Sequence, residues 1–206
     1  MIIGICGFIG SGKDTIADYL VNVRQFRRVS FAGTLKDAVS AVFGWDRELL
    51  EGRTQESRTW REQRDDWWSQ RLGREITPRQ VLQQWGTEVG RQAYHDEIWV
   101  ASLENRLRNS QNHVVITDCR FPNEISAIHR AGGQVIRVHR GPEPDWYDLA
   151  IAANSGDWVA REQLIKLDVH ASETAWVGTD FNAVIDNNGS FDSTFEQVES
   201  VVLKSQ

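Results

Sequence analysis

The chain opens on "GICGFIGSGKDTIADYL", residues 4–20, with four glycines in the first nine positions and no proline before helical periodicity takes over. Residues 1–6, "MIIGIC", are a short apolar, β-branched run that suits a strand buried on both faces. From Lys13 onward Ile16, Tyr19, Leu20 and Val23 recur at helical spacing, so a strand, a glycine turn and a helix follow one another. Gly7, Gly12 and Lys13 fit G-x-x-x-x-G-K, and Gly10 with Thr15 tighten it to G-x-x-G-x-G-K-x-T. Missing side chains let successive backbone N–H groups converge on an anion, and the helix N-terminus adds partial positive charge. The turn is a candidate cradle for a triphosphate tail, with Lys13 as its cation. Where a Ser or Thr usually follows the lysine and meets magnesium, this chain has Asp14. Asp14 is therefore the expected metal contact, and Thr15 a phosphate partner.

At 206 residues, 40% hydrophobic and 25% charged, the chain suits one ordinary globular domain with a sizeable core. Its net charge of -6 argues against coating long nucleic acid, which calls for a clustered basic footprint. No apolar run approaches the roughly 18 residues of a spanning helix, and the opening run is too short and glycine-broken for a secretory signal. A cytosolic protein, away from membranes, is expected. Cys6 and Cys119 each end an apolar run and read as buried, reduced thiols.

Further strands are expected in "RRVSFA" (27–32), "HVVITD" (113–118), "QVIRVHR" (134–140) and "NAVIDN" (182–187), with helices between and after them. Gly44 should end the helix that follows the second strand, and Gly132 with Gly133 the one that follows the third. Apolar strands separated by helices imply a parallel sheet covered on both faces, an α/β class. Residues 46–76, rich in Arg, Glu and Asp with Trp60, Trp67 and Trp68 interspersed, read as solvated helices, an irregular insertion or a substrate-covering segment. At 77–91, Thr77, Pro78 and Gln80 make a capping box, and Val81, Leu82, Trp85 and Val89 should share one helix face.

Nucleotide binding alone does not name an activity. N-K-x-D, which a GTPase needs for guanine, occurs nowhere in the chain. In "DCRFPNE" (118–124), Asp118 at the tip of a buried strand is placed to steer magnesium, and Arg120 can meet a phosphate bidentately. Only four lysines occur, and Lys36 in "SFAGTLKDA" follows the second strand closely, near the expected edge of the site.

"GKDT", "SFAGTLKDA", "LQQWGTEVGR" with "IWV" soon after, "DCRFPNE", "HASE" and "VIDNNGSF" appear in this order, and together they resemble the bacteriophage deoxynucleoside monophosphate kinases. These are a branch of the P-loop nucleoside monophosphate kinases. The likeness runs from the first strand to the last helix, with no recognised pattern in 46–76 and 141–168. It implies a three-layer sandwich on a five-stranded parallel sheet of order 2-3-1-4-5, and transfer of the ATP γ-phosphoryl to a deoxynucleoside monophosphate with magnesium.

Carried over by motif, Gly10, Ser11, Gly12, Lys13, Asp14 and Thr15 would hold ATP. Asp118 and Arg120 would face the reacting phosphates, with Glu124 of the same motif at the substrate. Lys36 and Arg91 would approach the acceptor phosphate, and Trp85, Gly86 and Thr87 would border the acceptor base or sugar, with Arg79 nearby. Trp85 would stack on the base, unless it belongs to the core. Asn187 would contact adenine, Arg140 would open a lid that could include Arg161, and His170 would cap, pack or serve the site. The acceptor region would lie in 46–92 and the lid in 141–178 of a single domain, in host cytoplasm if phage-encoded. Oligomeric state stays open, a homodimer included. Two other readings are a kinase for another phosphorylated small molecule, such as a coenzyme A precursor or phosphomevalonate, and a nucleotide-binding regulatory protein without turnover.

Overall fold

Five strands pair in parallel in the order β2-β3-β1-β4-β5: β1 Ile2–Cys6, β2 Arg27–Val29, β3 Val114–Ile116, β4 Gln134–His139 and β5 Ala183–Asp186. This is the order the resemblance implies. The computed structural model describes residues 1–108 and 112–204. Ile3 and Ile5 of β1 turn one face toward α1 (Lys13–Arg24) and α12 (Phe191–Lys204), where Ile16, Leu20, Val198 and Val202 complete an apolar layer. On the opposite face Gly4 meets α8 (Pro122–Arg130) so closely that a Cβ there would lie 2.5 Å from Ile128 Cδ1. Alternation along a strand buried on both sides is what the unbroken apolar run encodes. Cys6 and Cys119 are buried, free thiols, and Cys6 Sγ donates to the Cys119 carbonyl at 3.3 Å.

The chain divides into two compact units, residues 1–30 with 107–206, and residues 31–106. The first holds the sheet together with α9 (Tyr147–Asn154), α10 (Trp158–Lys166) and α11 (Ala171–Thr174). The second is helical: α2 (Gly33–Phe43), α3 (Arg47–Glu51), α4 (Gln55–Glu62), α5 (Asp66–Leu72), α6 (Pro78–Gln84), a π-helix (Trp85–Tyr94) and most of α7 (Ile98–Leu107).

Six of the chain's nine tryptophans lie in the second unit. Leu35, Val39, Trp45, Leu50, Ile76 and Val81 are buried together, with Trp60, Trp68, Trp85 and Trp99 packed against them. Two of these indoles find acceptors within the unit: Trp45 Nε1 gives to Asp65 Oδ2 at 2.7 Å and Trp68 Nε1 to the Phe43 carbonyl at 3.0 Å. Residues 46–76 thus form three short helices, capped at their N-termini by Asp46, Thr54 and Asp65, and their tryptophans Trp60 and Trp68 belong to a core.

The capping box at Thr77 forms as expected, and Gly44 ends α2 in the left-handed conformation. Val89 departs from expectation: it is 47% exposed and does not share the face of Val81 and Trp85. The helix continues from Trp85 to Tyr94 in π winding, with five-residue hydrogen bonding, and Val89 lies on its exposed side. Among the described residues no helix is long and apolar enough to cross a membrane.

Candidate active site

β1 and β3 are parallel neighbours, so the loops that leave their carboxyl ends lie side by side. Open α/β sheets bind ligands at such an edge, where the strand order reverses. The loop after β1 is the glycine turn. Gly12 has φ +101°, and a Cβ there would also collide with Asn187 Nδ2. Asn187 donates from Nδ2 to the Ser11 carbonyl at 2.8 Å, and its Oδ1 accepts from Thr194 Oγ1 at 3.0 Å. Expected at adenine, Asn187 is engaged at both ends of its amide as a strut of the turn.

Lys13 Nζ donates to the carbonyls of Gly7 and Phe8, each at 2.7 Å. Burial, then the nearby charge of Arg120, lowers the Lys13 pKa below its ordinary 10.5. Ser11 Oγ is buried without a hydrogen-bond partner among the described residues. An orphaned hydroxyl and two cations that disfavour each other suit an anion as their missing partner. The residues of the turn therefore fit a phosphate chain. Thr15 and Gly10 lie exposed at its mouth. Phe8 packs against Trp146, Tyr147 and Trp176, with ring centroids 5.4, 6.1 and 4.7 Å away, which joins the turn to the segment after β4.

The loop after β3 carries half-buried Asp118, then Arg120. Arg120 donates to Ser172 Oγ at 3.2 Å and to Glu173 Oε1 at 2.9 Å. His170 Nδ1 in turn accepts from the Ser172 amide at 3.2 Å and caps α11. "HASE" is thus the seat of Arg120, and Ser172 and Glu173 are the members that reading for His170 alone passes over. Glu124, expected at the substrate, is 3% exposed, and its Oε2 accepts from the amides of Arg120 at 2.8 Å and Phe121 at 3.1 Å. Those amides precede Pro122 and need an acceptor, which a carboxylate at the third helical position reaches back to supply.

Asp14 is exposed and accepts from Arg28 at 3.2 Å. Among the described residues no three or more His, Cys, Asp or Glu side chains gather as a metal site. Arg140 and Arg161 are exposed. Arg137 is buried, bonds Tyr147 Oη at 2.6 Å and Glu143, and lies 4.8 Å over the Tyr147 ring.

In the second unit Lys36 donates to Glu51 Oε2 at 2.7 Å, and Arg47 bridges Glu51 at 2.5 Å and Asp37 at 2.7 Å. Burial alone would raise the Glu51 pKa, but its bonds to Lys36 and Arg47 outweigh that and lower it. The π-helix gathers Trp85, Gly86, Thr87 and Arg91. Trp85 is half-buried and edge-on to Phe43 with ring centroids 5.7 Å apart, while Thr87 is exposed. Arg91 donates to the Asp96 carbonyl at 3.1 Å, and Arg79 pairs with Glu62 at 3.2 Å. The turn, Asp118, Arg120, Arg140 and Asn187 thus belong to the first unit, and Lys36, Arg79, Trp85, Gly86, Thr87 and Arg91 to the second.

No protein-family profile matches the chain. A candidate deoxynucleotide monophosphate kinase of Acanthamoeba polyphaga mimivirus is 35% identical, across 68% of this chain and 74% of that one. The deoxynucleoside-5'-monophosphate kinase of Escherichia phage T5 is 31% identical, across 60% of this chain and 70% of that one. Among solved structures, a shikimate kinase from Aquifex aeolicus aligns over 99% of this chain and 95% of that one, at 12% identity and a TM-score of 0.44. With relatives this similar over more than two thirds of their own length, the chain belongs to the deoxynucleoside monophosphate kinase family.

Proposed function

We propose that the protein transfers the γ-phosphoryl group of ATP to a deoxynucleoside monophosphate, giving ADP and the deoxynucleoside diphosphate. The observation that carries this reading is the convergence of Lys13, Arg120 and the partnerless Ser11 hydroxyl on one glycine turn, in a chain whose relatives are named for that activity. An acceptor phosphate oxygen bonds the γ-phosphorus as the bridging β–γ P–O bond breaks and ADP departs. The acceptor is already an anionic nucleophile, so the reading assigns no general base.

What such a transfer needs is positioning and cations around the moving charge. Lys13 leaves its two carbonyls for the phosphate chain, and Ser11 Oγ gains an acceptor. Arg120 exchanges Glu173 for phosphate oxygens, with Asp118 beside it. Magnesium, bound to phosphate oxygens with Asp14 or Asp118 at its rim, would neutralise charge on the donor. Lys36 and Arg91 take the acceptor phosphate, and Trp85, Gly86 and Thr87 border its base and sugar, with Arg79 farther out. Arg140 and the 141–178 segment form the lid that excludes water, a competing acceptor. The reading places the work in the cytoplasm of a host cell, on small nucleotides and not on long nucleic acid.

A kinase acting on a different phosphorylated small molecule would use the same turn, so the acceptor must be tested directly. Incubation with ATP, magnesium and a panel of deoxy- and ribonucleoside monophosphates, dephospho-coenzyme A and phosphomevalonate, followed by product separation, decides it. ADP with at least one deoxynucleoside diphosphate is expected. ADP formed only with the non-nucleotide acceptors would overturn the reading.

A further inference from the structure

We propose that Trp99, lodged against Gly90, is a positioning residue for the acceptor nucleotide, because it holds the π-helix that presents Trp85, Thr87 and Arg91. The inference rests on the acceptor reading above. Helices with five-residue hydrogen bonding are rare, are mostly single turns, and concentrate at functional sites. This one runs for ten residues, Trp85–Tyr94, and its C-terminal bond from the His95 amide to the Gly90 carbonyl, at 2.9 Å, still spans five residues.

Two contacts with one side chain account for it. Trp99 Nε1 donates to the Gly86 carbonyl at 2.8 Å. In an ordinary α-helix that carbonyl would take the Gly90 amide, four residues on. The indole ring also fills the space beside Gly90: a Cβ there would lie 2.5 Å from Trp99 Cζ2, 2.8 Å from Cε2 and 2.9 Å from the Trp85 carbonyl. Only glycine admits both the ring and the wide winding. "LQQWGTEVGR" and the "IWV" that follows it are thereby one device.

The winding decides what the helix shows. In this winding Trp85 is half-buried while Thr87 and Val89 are exposed, Val89 to 47%. Return to α-helical winding would rotate the residues beyond the change by about 100°, one residue's step. Arg91 and Thr87 would no longer keep their present directions relative to Trp85.

The test compares steady-state kinetics of wild type, Gly90→Ala and Trp99→Phe, varying ATP and the deoxynucleoside monophosphate separately, with thermal melts as a control on folding. Gly90→Ala puts a methyl group into the ring's place, and we expect the acceptor KM to rise about 10- to 100-fold with the ATP KM unchanged. Trp99→Phe keeps a ring and loses only the bond to Gly86, so a rise of about two- to tenfold in the same constant is expected. Should Gly90→Ala fail to fold, Trp99→Phe decides alone. Unchanged acceptor KM in the folded variants, or an equal rise for ATP, overturns the inference while wild-type turnover upholds the acceptor reading. A wild-type enzyme inert toward every nucleoside monophosphate overturns both.

Discussion

Lys13 sits on two carbonyls of its own turn, a geometry that orders the ammonium without neutralising it. Its pKa is lowered by burial first and by Arg120 second, so the sign of two effects follows. A lysine depressed in the folded state penalises folding at every pH below its folded pKa, and the penalty fades as pH rises toward its unfolded value. Lys13→Met should therefore leave the nucleotide-free Tm unchanged or raised, while cutting turnover about 100-fold or more, since charge-stabilising groups at such sites are each worth several kcal/mol. A Tm lowered by several degrees would contradict the penalty. The free enzyme should also lose its ammonium at a pH below 10.5. The alkaline limb of kcat/KM for ATP is then expected below that value, and the limb of kcat higher, because bound phosphate favours the charged form. Limbs in the reverse order would sink this account.

The junction between β5 and α12 shows how a short element serves a distant loop. The Asn187 backbone amide reaches the His139 carbonyl at 2.8 Å, which pins the end of β5 to β4, and the side chain then spans to Ser11. Asn187→Ala should loosen the turn and leave the Ser11 carbonyl short of a donor, a loss of about 1–3 kcal/mol in stability. ATP and GTP affinities are expected to fall in proportion, since the turn holds phosphates common to both. Fluorescence titration with the two nucleotides checks this: a changed ATP to GTP ratio would instead assign Asn187 a contact with the adenine. Helix boundaries were legible where their signals are local. The Thr77 to Gln80 bonds, at 3.2 and 3.3 Å, join residues three apart and follow from the capping motif alone. The winding of the same helix beyond Gln84 has no local signal, because Trp99, nine residues beyond Gly90, bonds the Gly86 carbonyl and fills the space beside Gly90.

Two compact units divide the candidate residues between them, the phosphate turn and Arg120 in one, Lys36 and the π-helix in the other. Each nucleotide should then leave its own signature in hydrogen exchange. ATP with magnesium is expected to slow exchange chiefly in residues 4–16 and 118–124, and the deoxynucleoside monophosphate alone chiefly in 33–39 and 85–94. Equal protection of both sets by either ligand would refute the division. The tryptophan core of the second unit makes 46–76 a folded part of that unit, so slow exchange at Trp60 and Trp68 is expected before any ligand is added.

The parallel α/β class, the phosphate turn and the ends of most elements were determined by the amino-acid sequence itself, because apolar periodicity, glycine spacing and capping chemistry act over a few residues. Tertiary structure alone decided which side chains those elements bring together. It seated Arg120 on Glu173, 53 positions away, and tied Asn187 to Ser11 across 176. It also set the winding at Trp85 through Trp99. Each of these depends on strands that pair in an order different from their order along the chain, or on helices that meet only when their cores are buried, and no local pattern records such a meeting.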